Sequence, residues 1–150
     1  MANRFEGWER WATLVLQVVL GLIFMAHGSQ KLFGMFGGSG ITGLGGYFDK
    51  IGISPGYFWA WVVGLVEFFG GLCVFLGFVT RYAATLLVID MAVASFWVHF
   101  PTFFWQRAGR LAPGGMEMPM TLGIIALALL LSGPSFLSVD RAIGLEKRST

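Results

Sequence analysis

Four runs of apolar residues, separated by polar and glycine-rich stretches, set the layout of the chain. They cover about 11–32, 57–78, 82–98 and 118–132. The second, Tyr57–Phe78, holds 22 residues with one ionisable side chain, Glu67. Its length and apolarity predict a transmembrane helix. At roughly 1.5 Å per residue, Glu67 lies about 15 Å from the Tyr57 end, near the bilayer midplane. A carboxylate there must be neutral, paired or in a wet cavity. Read at helical spacing, Ala60, Gly64, Gly71 and Val74 share its face. Small residues let membrane helices approach closely, so Glu67 is expected to point into a helix bundle. The third run carries Asp90 on a face with Ala83, Leu87, Ala94 and Trp97. Asp90 is about 13 Å from Arg81, at a depth similar to that of Glu67.

The connections refine this plan. The first run ends in HGSQKLFG, with His27 and Lys31 four apart on one helix face. A cleaved signal peptide is the rival reading of this run, but its leading segment is as acidic as it is basic. Gly34–Gly56 holds nine glycines and reads as a loop, within which Thr42–Ile51 is expected to form a short interfacial helix. Thr42 would cap that helix and Gly52 would stop it. His99 and Pro101 end the third run. A second long loop follows, with Phe103, Phe104 and Trp105 as expected interface anchors and Arg107 and Arg110 as its charges. Glu117 stands at the mouth of the fourth run, which Gly133 and Pro134 stop.

Composition narrows the class. The 150 residues are 56% hydrophobic and 12% charged, with a mean hydropathy of +0.74. A soluble domain of this size exposes more charge, so the chain reads as one integral membrane domain in a lipid bilayer. A net charge of +2 with no basic face gives no reason to expect a nucleic-acid partner. A single cysteine, Cys73, allows neither an intrachain disulfide nor a thiolate metal cluster. Four helices put both termini on one side of the membrane. That side holds Arg4, Arg10, Arg81, Arg141, Lys147 and Arg148, against Lys31, Lys50, Arg107 and Arg110 on the other. Basic residues favour the cytoplasmic side, so cytoplasmic termini in a cell (inner) membrane are expected.

The assembled pattern resembles the DoxX family of small four-helix membrane proteins. The stretches that carry the resemblance are HGSQKLFG at 27–34, GLGGYFDKIGISP at 43–55 and EFFGGLCVFLGFVTR at 67–81. His99, GGME at 114–117 and GPSFLSVDR at 133–141 complete it. The resemblance implies an all-α fold, a four-helix transmembrane bundle. It also implies links to quinone-coupled sulfur oxidation, oxidative-stress complexes and quinone detoxification. Asp90 departs from the family pattern, where that position is usually apolar.

Two readings of function follow. In the first, the chain is a redox-associated component that binds a quinone or similar small molecule near the outer membrane face. Glu67 is then the proton-handling, catalytic group, and His27, Lys31, Asp90, His99 and Glu117 are candidate ligand contacts. If Glu67 and Asp90 are neighbours, two carboxylates in low dielectric do not both ionise easily. In the second, the chain is a non-catalytic subunit or scaffold that recruits a redox partner protein or a second copy of itself. No dinucleotide, phosphate-loop, haem-attachment or nucleophile-elbow motif is present, so a redox role would borrow its electron carrier. A metal held by His27, His99 and Glu117, or a haem held by the two histidines, ranks below a quinone because the three come from separate helix ends without local ligand spacing. The cluster itself is expected to line one cavity with Glu67 as its floor and Lys31 paired with Glu117.

Overall fold

The computed structural model describes residues 7–100 and 115–146, and these residues form an all-α bundle without strands. The aromatic anchors and arginines expected in the second long loop lie outside them, as do Arg4, Lys147 and Arg148. Helix α1 spans Trp8–Phe33, α2 Gly40–Lys50, α3 Gly56–Leu76 and α4 Thr80–Val93. A π-helical turn, Ala94–His99, continues α4. Helix α5 spans Glu117–Ser132 and a single turn, α6, Val139–Ala142. Segments Arg10–Phe33, Gly56–Leu76 and Thr80–His99 are long and apolar enough to cross a membrane, and α5 is a shorter apolar helix. Large apolar side chains such as Phe69, Ile89, Ile124 and Leu131 are exposed on the bundle surface, as lipid requires.

The central contact joins α1 and α3, which run antiparallel. Glycines seven residues apart on each helix face the other. A Cβ at Gly21 would lie 2.7 Å from the backbone of Phe75, and one at Gly28 would lie 2.4 Å from that of Phe68. A Cβ at Gly71 would lie 2.7 Å from the amide of Met25. No side chain fits these spaces, so the backbones approach as closely as small-residue membrane packing allows. The Glu67 stripe is accordingly interior: Ala60, Gly64, Gly71 and Val74 are all buried, and Glu67 is 3% exposed. Leu20, Phe24, Val74, Leu87, Met91, Ala126 and Leu129 form the main apolar core around this contact.

This register leaves the start of α3 without α1 as a neighbour. Lys31 and Leu32 already lie against Gly64, so the first turns of α3 extend past the end of α1. Helix α2 fills that space. Its Gly45 meets Tyr57, its Asp49 Oδ1 accepts the Gly56 amide at 2.8 Å, and Ile41 and Phe48 pack with Ala60. The expected cap, Thr42, lies inside this helix, which begins at Gly40 without a side-chain cap. Gly38 folds back against Gln30, where a Cβ would come within 2.4 Å of the carbonyl oxygen, and α2 starts once the chain has cleared that contact.

The opposite end is tied by buried polar groups. Asp140 is 3% exposed and reaches back to the start of α4. Its carboxylate accepts the amide of Val79 at 2.6 Å, and the amide and hydroxyl of Thr80 at 2.8 Å each. It caps a helix 60 residues away, satisfying donors that no intrahelical carbonyl can reach. Gln17, fully buried on α1, accepts the Ser135 amide at 2.8 Å and donates to the Phe75 carbonyl. Arg81 bonds the Leu130 carbonyl and pairs with Glu146 at 2.5 Å. Replacing Asp140 by Ala strands three donors. It should cost about 3 kcal/mol, since unsatisfied buried groups cost roughly 1–3 kcal/mol each and are not additive. Thermal unfolding in detergent, followed by circular dichroism, checks this. A loss below about 1 kcal/mol would remove Asp140 as the anchor of this end.

Candidate functional site

The end of the bundle away from the termini is hollow. A cavity of about 970 Å³ lies among α1, α2, α3, α4 with its π turn, and α5. His27, Lys31, Glu67, Asp90, His99 and Glu117 all border it. Each is positioned by a different local cause. His27 and Lys31 sit one turn apart near the end of α1, on the face that turns toward α3. Glu67 follows the glycine stripe inward. Asp90 lies one turn beyond buried Leu87, on the inner side of α4. Glu117 opens α5, where the exposed amides of a helix start favour a negative charge.

Lys31 bonds Glu67 directly. The side chains are 24% and 4% exposed, so the pair is largely withdrawn from water. The expectation had set Lys31 against Glu117 at the cavity mouth. The glycine-controlled register of α1 against α3 instead carries Lys31 down to the level of Glu67. Asp90 meets this pair: it interacts with both Glu67 and Lys31. Its Oδ2 is buried and receives no hydrogen bond.

The π turn sets His99. Its Nδ1 lies 2.8 Å from the carbonyl oxygen of Ala94, so this nitrogen carries the donated hydrogen. In the neutral ring Nε2 is then the acceptor available to a ligand. Trp97, in line with Asp90 by regular spacing, also borders the cavity and stands at its rim, 66% exposed. Buried Ser95 donates to the Met91 carbonyl at 2.7 Å where the helical pitch changes. Such turns are over-represented at functional sites. Among the described residues, no three His, Cys, Asp or Glu side chains converge closely enough to hold a metal ion. His27, His99 and Glu117 share the cavity without forming such a group.

Tyr47 and Trp59 also border the cavity, and neither was a candidate from sequence. Tyr47 comes from α2, and burial pushes its phenol above the ordinary value, which keeps it neutral to more alkaline pH. The signal for it was present in GLGGYFDK, but only the register of α2 on α3 turns that residue to the cavity. Phe24, Phe48, Met91 and Leu122 add apolar wall.

The DoxX family profile matches residues 12–100, more than half of the chain and most of this cavity. The chain belongs to the DoxX family. The Bacillus subtilis protein named "Putative oxidoreductase CatD" is 31% identical over 128 residues, covering 85% of this chain and 84% of that protein. A Mycobacterium tuberculosis protein described as an uncharacterized membrane protein is 34% identical over 155 aligned positions, covering 93% of this chain and 84% of the relative. The Escherichia coli inner membrane protein YqjF is 27% identical over 135 residues, covering 90% and 94%. No solved structure matches the chain.

In this DoxX protein, then, one ammonium, three carboxyl groups and two imidazoles of the described residues face a largely apolar and aromatic space inside a membrane bundle. Such a space can hold a flat, largely apolar molecule and address its polar atoms individually. Breaking the ion pair from its two sides should have unequal cost. Lys31→Met leaves the two carboxyl groups without their cation and should destabilise the protein by about 3–5 kcal/mol. Glu67→Gln should cost less, because Asp90 remains to accept Lys31. The double variant should be more stable than the sum of the two losses predicts. Unfolding free energies in detergent test this, and equal, additive losses would contradict it.

Proposed function

We propose that this DoxX protein is a redox-associated membrane component whose cavity takes a quinone or a closely similar planar carbonyl compound. The observation that carries the reading is the convergence of His27, Lys31, Glu67, Asp90, His99 and Glu117 on one apolar-walled cavity. The volume suits a substituted ring, and Tyr47, Trp59 and Phe48 offer faces against which it can pack. His27 and Lys31 would address a ring carbonyl, and Glu67 would handle the proton that accompanies reduction or oxidation. The oxidoreductase name of the Bacillus subtilis relative supports a redox setting. Electrons would come from a partner protein. The cavity lies at the end of the bundle opposite Trp8 and Ala142. With cytoplasmic termini, as the basic residues favour, it opens toward the outer face of the cell membrane. Impermeant thiol labelling of Gly144→Cys from the cytoplasmic side checks that orientation, and labelling from the outside alone would reverse it.

The test of function is binding of decylubiquinone to the purified protein in lipid nanodiscs, together with mass spectrometry of co-purified small molecules. Glu67→Gln and His27→Ala should each weaken binding about tenfold or more, the worth of one buried polar contact. Leu131→Ala, on the lipid-facing surface, should leave it unchanged. No quinone bound or retained by the wild-type protein would leave the scaffold reading, in which the bundle recruits a redox partner without holding a substrate.

A further inference from the structure

Among the described residues, Arg141 Nε and Asp90 Oδ2 are buried without a hydrogen-bond partner, and Asp90 is the one that borders the cavity. Its Oδ2 is buried at the cavity wall and no donor reaches it. The charged groups it meets are Glu67 and Lys31, and Lys31 is bonded to Glu67. An acceptor buried without a donor is unfavourable, and a carboxylate buried beside another carboxylate more so. Among the described residues, the other ionisable groups around the cavity do not remove the problem. His27 faces the same pair from α1, His99 is turned to the Ala94 carbonyl from the π turn, and Glu117 on α5 adds a carboxyl rather than a cation. One ammonium therefore stands among two adjacent carboxyl groups in a low-dielectric interior.

We infer that Asp90 is a carboxylic acid that donates its hydrogen to the Glu67 carboxylate, so that Lys31, Glu67 and Asp90 form a neutral triad holding one proton. This assignment satisfies every group. Asp90 acquires a donor hydrogen, Glu67 accepts from both sides, and the net charge of the three is zero. It makes Asp90 part of the site. The Lys31 ammonium keeps hydrogens beyond the one given to Glu67, donors suited to a carbonyl or other electron-rich oxygen, and the stored proton lies beside them. That last step rests on the quinone reading above, whereas the stored proton does not.

Infrared difference spectroscopy of the protein in nanodiscs at neutral pH tests both. The wild-type protein should show the carbonyl stretch of a protonated carboxyl group. Asp90→Asn should abolish that band. So should Glu67→Gln, because one carboxyl then remains for one ammonium and ionises against it. Lys31→Met should keep a protonated band. No protonated carboxyl in the wild-type protein would overturn the inference, as would a band that survives Glu67→Gln or Asp90→Asn. Adding decylubiquinone should shift the triad band and the quinone carbonyl together. A triad that behaves as described but is unmoved by decylubiquinone would overturn the quinone role and leave the stored proton standing.

Discussion

A carboxylate at the middle of an apolar bundle cannot stand alone, and the structure is arranged so that Glu67 does not. Its partner, Lys31, belongs to a different helix, so the pair exists only if α1 and α3 meet in one axial register. Gly21, Gly28 and Gly71 impose that register, because each admits the facing backbone where no side chain would fit. Shifting α1 by one turn would move Lys31 about 5 Å along the axis and separate the pair. Packing and electrostatics therefore enforce one another. The glycines set the offset, and the ion pair penalises any other.

The two ends of the bundle use their polar groups differently. At the end that carries the termini, Asp140, Gln17 and Arg81 are bonded mainly to backbone groups of distant segments. They close the bundle, and little is left for a ligand. At the other end, α1 stops early, α2 lies across the start of α3, and α4 departs from regular pitch in the π turn. The early stop of α1 and the π turn leave space, and α2 walls what remains. The polar groups there are side chains directed at a cavity, and their hydrogen-bonding capacity is only partly used within the protein. One end is built for rigidity, which lets the other remain hollow.

The bundle was legible in the sequence because membrane helices announce themselves by length and apolarity, and because a glycine stripe at helical spacing marks the side of α3 that others approach. That His27, Lys31, His99 and Glu117 border one space above Glu67 was likewise readable from depth and helix ends, whereas whether Asp90 joins them depends on how α4 is turned. The partner of Lys31 was not, since it depends on how far α1 slides along α3, and a position near a helix end suggests the mouth rather than the floor. The role of Asp140 was hidden by the 60 residues that separate it from the helix it caps. Tyr47 required the docking of α2, a short helix whose orientation its own sequence does not set.

The central claim is that Lys31 and Glu67 are bonded inside the bundle and that this bond holds the cavity floor. Solid-state nuclear magnetic resonance in lipid bilayers measures it directly, through the dipolar coupling between ¹⁵N-labelled Lys31 Nζ and the ¹³C-labelled Glu67 side-chain carboxyl. The account predicts a coupling corresponding to direct contact, together with slow exchange of Lys31 with water. A Lys31 ammonium with no coupling to Glu67 and in rapid exchange with bulk water would contradict it.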